Sequence, residues 1–311
     1  MPTRRRRPHQ YSIVVEPDLR RAHARGVALM IVAPLLWSMA GVLTRQIESA
    51  GRWEIVGLRS LFCAVGIVLG AAYLYRGRML RELLALGGTG LASSAMWATM
   101  FTCFMLALTR TTVANTLVLS SLAPITASVF AVIILRERIS ARTWTLALVA
   151  LAGVGIMFGD GAGRGGWAGN LAALGVPLAA GLNFVLMRKT GATVNLVPAI
   201  FVGGVISAAA TLPFALPFTA TPRDLAIAAT LGFFQLALPC TLVVIAARVL
   251  SPTEVALLGL LEVIFGTLWA WIGAGERPAD TTLVGGAVVL AALIAEATAS
   301  GRSARAVTIA V

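Results

Sequence analysis

The sequence predicts an all-α polytopic membrane protein of ten transmembrane helices, built as two inverted five-helix repeats. Three observations lead there. Of 311 residues, 58% are hydrophobic and 12% charged, whereas a soluble domain carries about 25% charged residues. The apolar residues fall in runs of about 20, the length that crosses a bilayer core as a helix. The second half of the chain also repeats the first.

The ten runs cover 26–46, 53–75, 82–107, 112–135, 142–160, 167–187, 196–217, 224–247, 253–274 and 280–299. The breaks between them carry Gly, Pro and charge, as in RGRMLRE, RERISAR, GDGAGRGG and GERPAD. These connections are short, so neighbouring spans pack antiparallel. Residues 1–25 hold seven arginines and are expected to be a disordered cytoplasmic tail that is retained, because a full-length span follows with no cleavage signal. Residues 300–311 are expected to form a second cytoplasmic tail.

Orientation follows from the basic residues. With the N-terminus inside, 18 of the 25 Lys and Arg fall in cytoplasmic segments and six outside, with Arg59 inside a span. Such a bias places both termini in the cytoplasm. It also accounts for the net charge of +12 as an orientation signal, and no nucleic-acid partner is expected. Cys63, Cys103 and Cys240 each sit in an apolar run without metal-like spacing, which makes them small apolar side chains.

The repeat reads directly from the residues. LVLSSLAPITASVFAVIILRERIS (117–140) aligns with ALLGLLEVIFGTLWAWIGAGERPA (256–279), and GVALMIVAPLLWSMAGVLTR (26–45) with GNLAALGVPLAAGLNFVLMR (169–188). Each half, 26–160 and 167–299, holds five spans. An odd number makes the second half enter the membrane from the opposite face. Inverted repeats of this kind are a transporter architecture with the substrate site near the midplane.

PLLWSMAGVLTR, LRSLFCAVG, ALTRTTVANTLVLSSLAPITASVFAVIILRERIS and LSPTEVALLGLLEVIFGTLWAWIGAGERP carry a further likeness. Over roughly 26–299 the chain resembles the drug/metabolite transporter superfamily, in its EamA branch. The resemblance implies ten helices around a central cavity and export of amino acids or other small metabolites from bacteria. Three positions depart from the family pattern. Ser38 stands where Gly is common, Arg136 precedes Glu137 where GER is common, and Val263 follows Glu262 where Pro is common. Without that proline, span 9 lacks the usual cause of a bend.

Deep polar groups are costly in lipid and usually face protein or a water-filled cavity. Glu262, the tenth residue of its 22-residue span, lies near mid-depth. It is either a proton-coupling or substrate-amine site, or a hydrogen-bonded carboxyl that holds span 9 to a neighbour. Arg59 lies nearer a span end, where snorkelling or a loop contact is the expected role. Trp37 and Ser38 in span 1, Trp97 in span 3, Thr116 and Ser120 in span 4, Asn183 in span 6 and Gln235 in span 8 complete the expected substrate-binding set with Glu262. Ser93, Ser94, Thr99, Thr102 and Asn115 are further polar residues on spans 3 and 4, and Pro124 frees a carbonyl. Together these groups suit a zwitterion or an uncharged metabolite better than a polyanion. Trp53, Trp144, Trp167, Trp269 and Trp271 read as interfacial belt anchors. The Glu137–Arg138 and Glu276–Arg277 pairs read as helix-end caps or loop pairs. The small-residue faces at Gly155/Gly159 and 203–210 read as packing inside one bundle, so a monomer is expected.

There is no P-loop, G-x-S-x-G, H-E-x-x-H or CxxC, and His9 and His23 both lie in the expected tail. No catalytic residue, metal or cofactor is expected. The sequence therefore points to a secondary transporter exporting amino acids or related small metabolites across the bacterial inner membrane by alternating access. Facilitated uptake of a small polar metabolite, or a membrane enzyme or scaffold on the same bundle, are the alternatives.

Overall fold

The computed structural model describes residues 16–75, 79–111, 113–158, 166–191, 194–274 and 280–309. The described residues are helical apart from their connections. The first half comprises α1 (Glu16–Trp37), α2 (Ala40–Thr44), α3 (Arg52–Tyr75), α4 (Met79–Leu84), α5 (Gly87–Arg110), α6 (Val113–Ser120), α7 (Ala123–Phe130) and α8 (Ala141–Phe158). The second comprises α9 (Trp167–Thr190), α10 (Val197–Thr211), α11 (Pro222–Thr230), α12 (Leu238–Ala246), α13 (Pro252–Gly259), α14 (Leu261–Ala274) and α15 (Asp280–Ile309). Wider π-helical turns extend α7 over Ala131–Leu135 and join α11 to α12 over Leu231–Ala237.

Among the described residues, seven helices are long and apolar enough to cross a membrane: Arg20–Thr44, Arg52–Ala72, Gly87–Arg110, Thr116–Leu135, Trp167–Thr190, Val197–Ala215 and Pro222–Ala246. Two shorter apolar helices, Ala141–Ile156 and Leu283–Ala295, accompany them. The outer faces of these helices carry bare apolar side chains, among them Leu69, Leu91, Ile133, Leu171 and Ile294. This is the surface a hydrocarbon solvent requires. The chain is a multi-pass membrane protein. Both segments expected as tails carry helix, since α1 begins at Glu16 and α15 continues to Ile309. His23 does not lie in a free tail; its Nε2 sits 3.2 Å from Glu254 Oε1 at the start of α13.

Packing depends on close backbone approach. α10 lies against both α3 and α5, and α9 lies against α5. Gly203 and Gly204 make the first arrangement possible. A methyl group on Gly203 would meet Trp97 Cβ at 2.6 Å and Ser94 O at 2.9 Å, and one on Gly204 would meet Ser60 O at 2.8 Å. The small-residue stretch at 203–210 therefore packs within the bundle. Gly159 and the Glu276–Arg277 pair lie outside the described residues. Glu137 pairs across the fold with Arg188 at 4.0 Å.

At one end of the bundle two buried carboxylates tie the α2–α3 connection to the chain entering α11. Glu54 accepts from the backbone N–H groups of Gly51, Thr219 and Ala220 and from the Thr219 hydroxyl. Asp224 accepts from the N–H groups of Glu48, Ser49, Ala50 and Thr221. Thr221 and Asp224 also form a capping box at the start of α11, satisfying N–H groups that a helix start leaves unpaired.

Candidate functional site

Two of the long apolar segments are broken at matching places. α6 ends at Ser120 and α7 starts at Ala123; α13 ends at Gly259 and α14 starts at Leu261. In the repeat alignment Ser120 and Gly259 are equivalent. In the second half the turn is held by Leu260 N–H to Leu257 O and Val263 N–H to Leu260 O, each 3.0 Å. In the first half Pro124 has no N–H to give. The bonds there shift one residue on, from Leu122 to Leu119 O at 3.2 Å and from Ile125 to Leu122 O at 3.0 Å. The break in span 9 therefore forms without the proline that usually causes it. It brings Glu262 into the first turn of α14, where the positive end of the helix dipole favours a carboxylate.

A cavity of about 820 Å³, counting the part open to solvent, lies between these breaks. Both halves line it. The first contributes Trp37, Arg59, Trp97, Phe101, Phe104, Leu117, Ser120 and Ser121, and the second Val176, Phe184, Gln235, Cys240, Leu260, Glu262 and Val263. Its walls are mostly apolar with few polar groups, as those of small-molecule sites are. Met30, Leu86, Met187, Leu196 and Leu250 are 0–3% exposed, belong to one apolar cluster, and do not line the cavity.

The polar groups of the wall come from helices of both halves. The π-helical stretch in span 8 turns Gln235 inward, and its Gly232 lets that stretch pack on the α3 backbone at Arg59 and Cys63. Gln235 Nε2 donates to Trp37 O at 3.0 Å, which orients the amide so that its Oε1 accepts from Arg59 Nε, also at 3.0 Å. Arg59 is 2% exposed and lines the cavity, which corrects the expectation that it snorkels at a span end. Its Nη1 has no hydrogen-bond partner. Trp97 is fully buried, its ring 5.6 Å from that of Phe101, and its Nε1 also lacks an acceptor. The Ser120 hydroxyl is likewise buried without a partner. Glu262 is half-buried on the cavity wall, and among the described residues no hydrogen bond or ion pair within 4 Å holds its carboxylate.

Of the expected substrate-binding residues, Trp37, Trp97, Ser120, Gln235 and Glu262 line this cavity. Three do not. Ser38, at the break between α1 and α2, donates to Leu35 O at 2.7 Å and accepts from Trp269 Nε1 at 2.9 Å, so its hydroxyl is already satisfied between helices. Trp269 is correspondingly an interhelical donor and not only a belt residue. Asn183 is buried at the α5–α9 contact, where its Oδ1 accepts from Ser93 Oγ at 2.6 Å. Thr116 is fully buried away from the cavity. The remaining span 3 hydroxyls bond within the bundle: Ser94 to Gly90 O, Thr99 to Ala95 O, and Thr102 with Ser207. The side chain of Asn115 lies outside the described residues. Trp53 sits between the Phe214 ring, 5.4 Å away, and the Arg110 guanidinium, 5.7 Å away. No cluster of three or more His, Cys, Asp or Glu suited to a metal occurs among the described residues.

A sequence profile of the EamA-like transporter family matches the chain twice, over residues 24–159 and 167–295. The chain belongs to the EamA-like transporter family. Membership places it in the drug/metabolite transporter superfamily and makes membrane transport its class of activity. Comparison with curated proteins gives no match. One crystal structure superposes on this EamA-family chain with a TM-score of 0.75, covering 91% of it and 99% of the other chain at 18% identity. That likeness establishes a shared fold.

Proposed function

We propose that this EamA-family protein is a secondary transporter exporting amino acids or related small metabolites across the bacterial inner membrane. Ten spans in two inverted five-helix repeats, 26–160 and 167–299, with both termini cytoplasmic, carry the mechanism. The observation behind this reading is a cavity lined by both matched halves and bounded by helix breaks at equivalent positions. A site shared between two related halves can face either side of the membrane as they rock. Met187, Leu196 and Leu250 are buried in the same apolar cluster as the cavity residues Trp97, Phe101 and Phe184, and rocking of the halves would repack that cluster. The protein acts as a monomer without a cofactor, with the bilayer and the substrate as its partners.

The test has two parts. Vesicles containing purified protein are assayed with a panel of labelled amino acids and small metabolites, with protein-free vesicles as reference. Cells loaded with the same solutes are then assayed for efflux with and without the protein. Accelerated flux of panel members and faster efflux are expected. Flux no faster than in protein-free vesicles across the panel contradicts transport. Flux without efflux would make the protein an uptake facilitator.

A further inference from the structure

We propose that the cavity is a zwitterion site in which Arg59 receives the substrate's carboxylate and Glu262 its ammonium group. This deepens the transporter reading and rests on it.

Arg59 carries the argument. A guanidinium presents five N–H donors and stays charged, and burying it without an anion is costly. Arg59 is 2% exposed, yet its side-chain hydrogen bond goes to a neutral amide, Gln235 Oε1, and its Nη1 has no partner. Among the described residues no carboxylate lies within ion-pairing distance of it. Gln235 orients the guanidinium through Nε without neutralising it, because the same amide is anchored by its bond to Trp37 O. The other edge of the fork, the one that meets a carboxylate with two parallel bonds, is thereby left unfilled.

Two more groups around the same cavity lack partners. Trp97 Nε1 is a donor only, and Ser120 Oγ can donate. Buried polar groups are nearly always satisfied, so each exception needs an explanation. Three unfilled groups able to donate, on residues lining one cavity, suit an acceptor-rich ligand group that they meet once those covered atoms turn toward it.

Glu262 decides what else the ligand carries. It lines the cavity from α14, while Arg59 lines it from α3; the two opposite charges act on each other across the cavity, but among the described residues no ion pair within 4 Å joins them. A simple anion would satisfy Arg59 and meet repulsion from Glu262; a simple cation would do the reverse. An uncharged solute would leave each group with only the other's more distant charge. A zwitterion satisfies both. The rest of the wall, including Phe101, Phe104, Phe184 and Leu236, is apolar, so the ligand class is a small zwitterion with an apolar substituent.

The test is isothermal titration calorimetry on the full-length protein in lipid nanodiscs with L-leucine, L-leucinamide and N-acetyl-L-leucine. L-leucine is expected to bind at least about tenfold more tightly than either derivative, the size of one charge-assisted hydrogen bond. Arg59→Gln is expected to remove the preference for L-leucine over L-leucinamide but not that over N-acetyl-L-leucine, and Glu262→Gln the converse. Arg59→Lys keeps the charge and serves if Arg59→Gln does not fold; it is expected to retain the preference for the acid with weaker binding. Equal binding of L-leucine and L-leucinamide to the unmodified protein overturns the proposal, as does a preference unchanged by Arg59→Gln. Vesicle flux of other solutes without any zwitterion binding overturns this assignment alone. Leucine binding without flux of any panel member overturns the transporter reading instead.

Discussion

Arg59 Nε donates to Gln235 Oε1 over 3.0 Å, joining positions 176 residues apart and fixing the one buried arginine on the cavity wall. Gln235 leaves the arginine's charge uncompensated. Gln235→Glu would supply the missing negative charge from the protein itself. That variant is expected to keep or raise thermal stability while losing transport, because the internal ion pair competes with the substrate carboxylate. Flux in vesicles and the thermal midpoint, measured together, check this; undiminished flux would show that Arg59 does not need to be free.

Gly203 sets the position of Trp97. Its missing side chain leaves no room, since a Cβ would stand 2.6 Å from Trp97 Cβ. Gly203→Leu forces α10 and α5 apart. Overpacking a close contact typically costs about 1–3 kcal/mol, so a lower thermal midpoint and weaker substrate flux are expected together. A midpoint equal to that of the unmodified protein would contradict the tight α5–α10 contact.

Glu54 and Asp224 hold the two connections at one end of the bundle almost entirely through backbone N–H groups. Glu54→Gln and Asp224→Asn each exchange an all-acceptor carboxylate for an amide that presents two N–H donors toward N–H groups. Both are expected to lower the thermal midpoint and speed hydrogen exchange at residues 48–51 and 219–221, with little effect on substrate affinity. Unchanged exchange there would show that the connections are held by other contacts.

Among the described residues Glu262 is the only acid lining the cavity, which makes it the candidate for proton coupling as well as for ammonium binding. Glu262→Gln removes both the charge and the titrating proton. Transport by the unmodified protein is expected to respond to an imposed pH gradient, and transport by Glu262→Gln is not. A gradient response that survives the substitution assigns coupling elsewhere and leaves Glu262 as a substrate contact.

The all-helical, membrane-spanning character was legible because it rests on composition and on apolar runs of bilayer length. The repeat was legible because aligned residues such as Pro34 and Pro177 recur at matching depth. The site was legible only in part. Glu262 announces itself as a carboxylate in an apolar run, and Trp97 as an aromatic far from a span end. Arg59 is near a span end in the sequence, yet the face it presents, and not its distance from that end, buries it on the cavity wall. A π-helical stretch, which leaves no mark in apolar periodicity, brings Gln235 to it. Ser38 and Asn183 looked like Ser120 and Gln235 in the sequence. What separates them is the face that packing turns toward the cavity: Ser38 and Asn183 lie at helix contacts, while Ser120 and Gln235 line the cavity. The break at Leu260 had no proline to signal it; the alignment with Ser120 and Pro124 was the available sign.

Counterflow in liposomes tests transport through this cavity most directly. Liposomes holding purified protein and preloaded with unlabelled L-leucine are diluted into labelled L-leucine, with protein-free and Arg59→Gln liposomes alongside. Alternating access through a zwitterion site predicts transient accumulation of label in the first sample and little in the other two. Label entering at the protein-free rate would contradict transport of this zwitterion, and equal accumulation with Arg59→Gln would contradict the role given to Arg59.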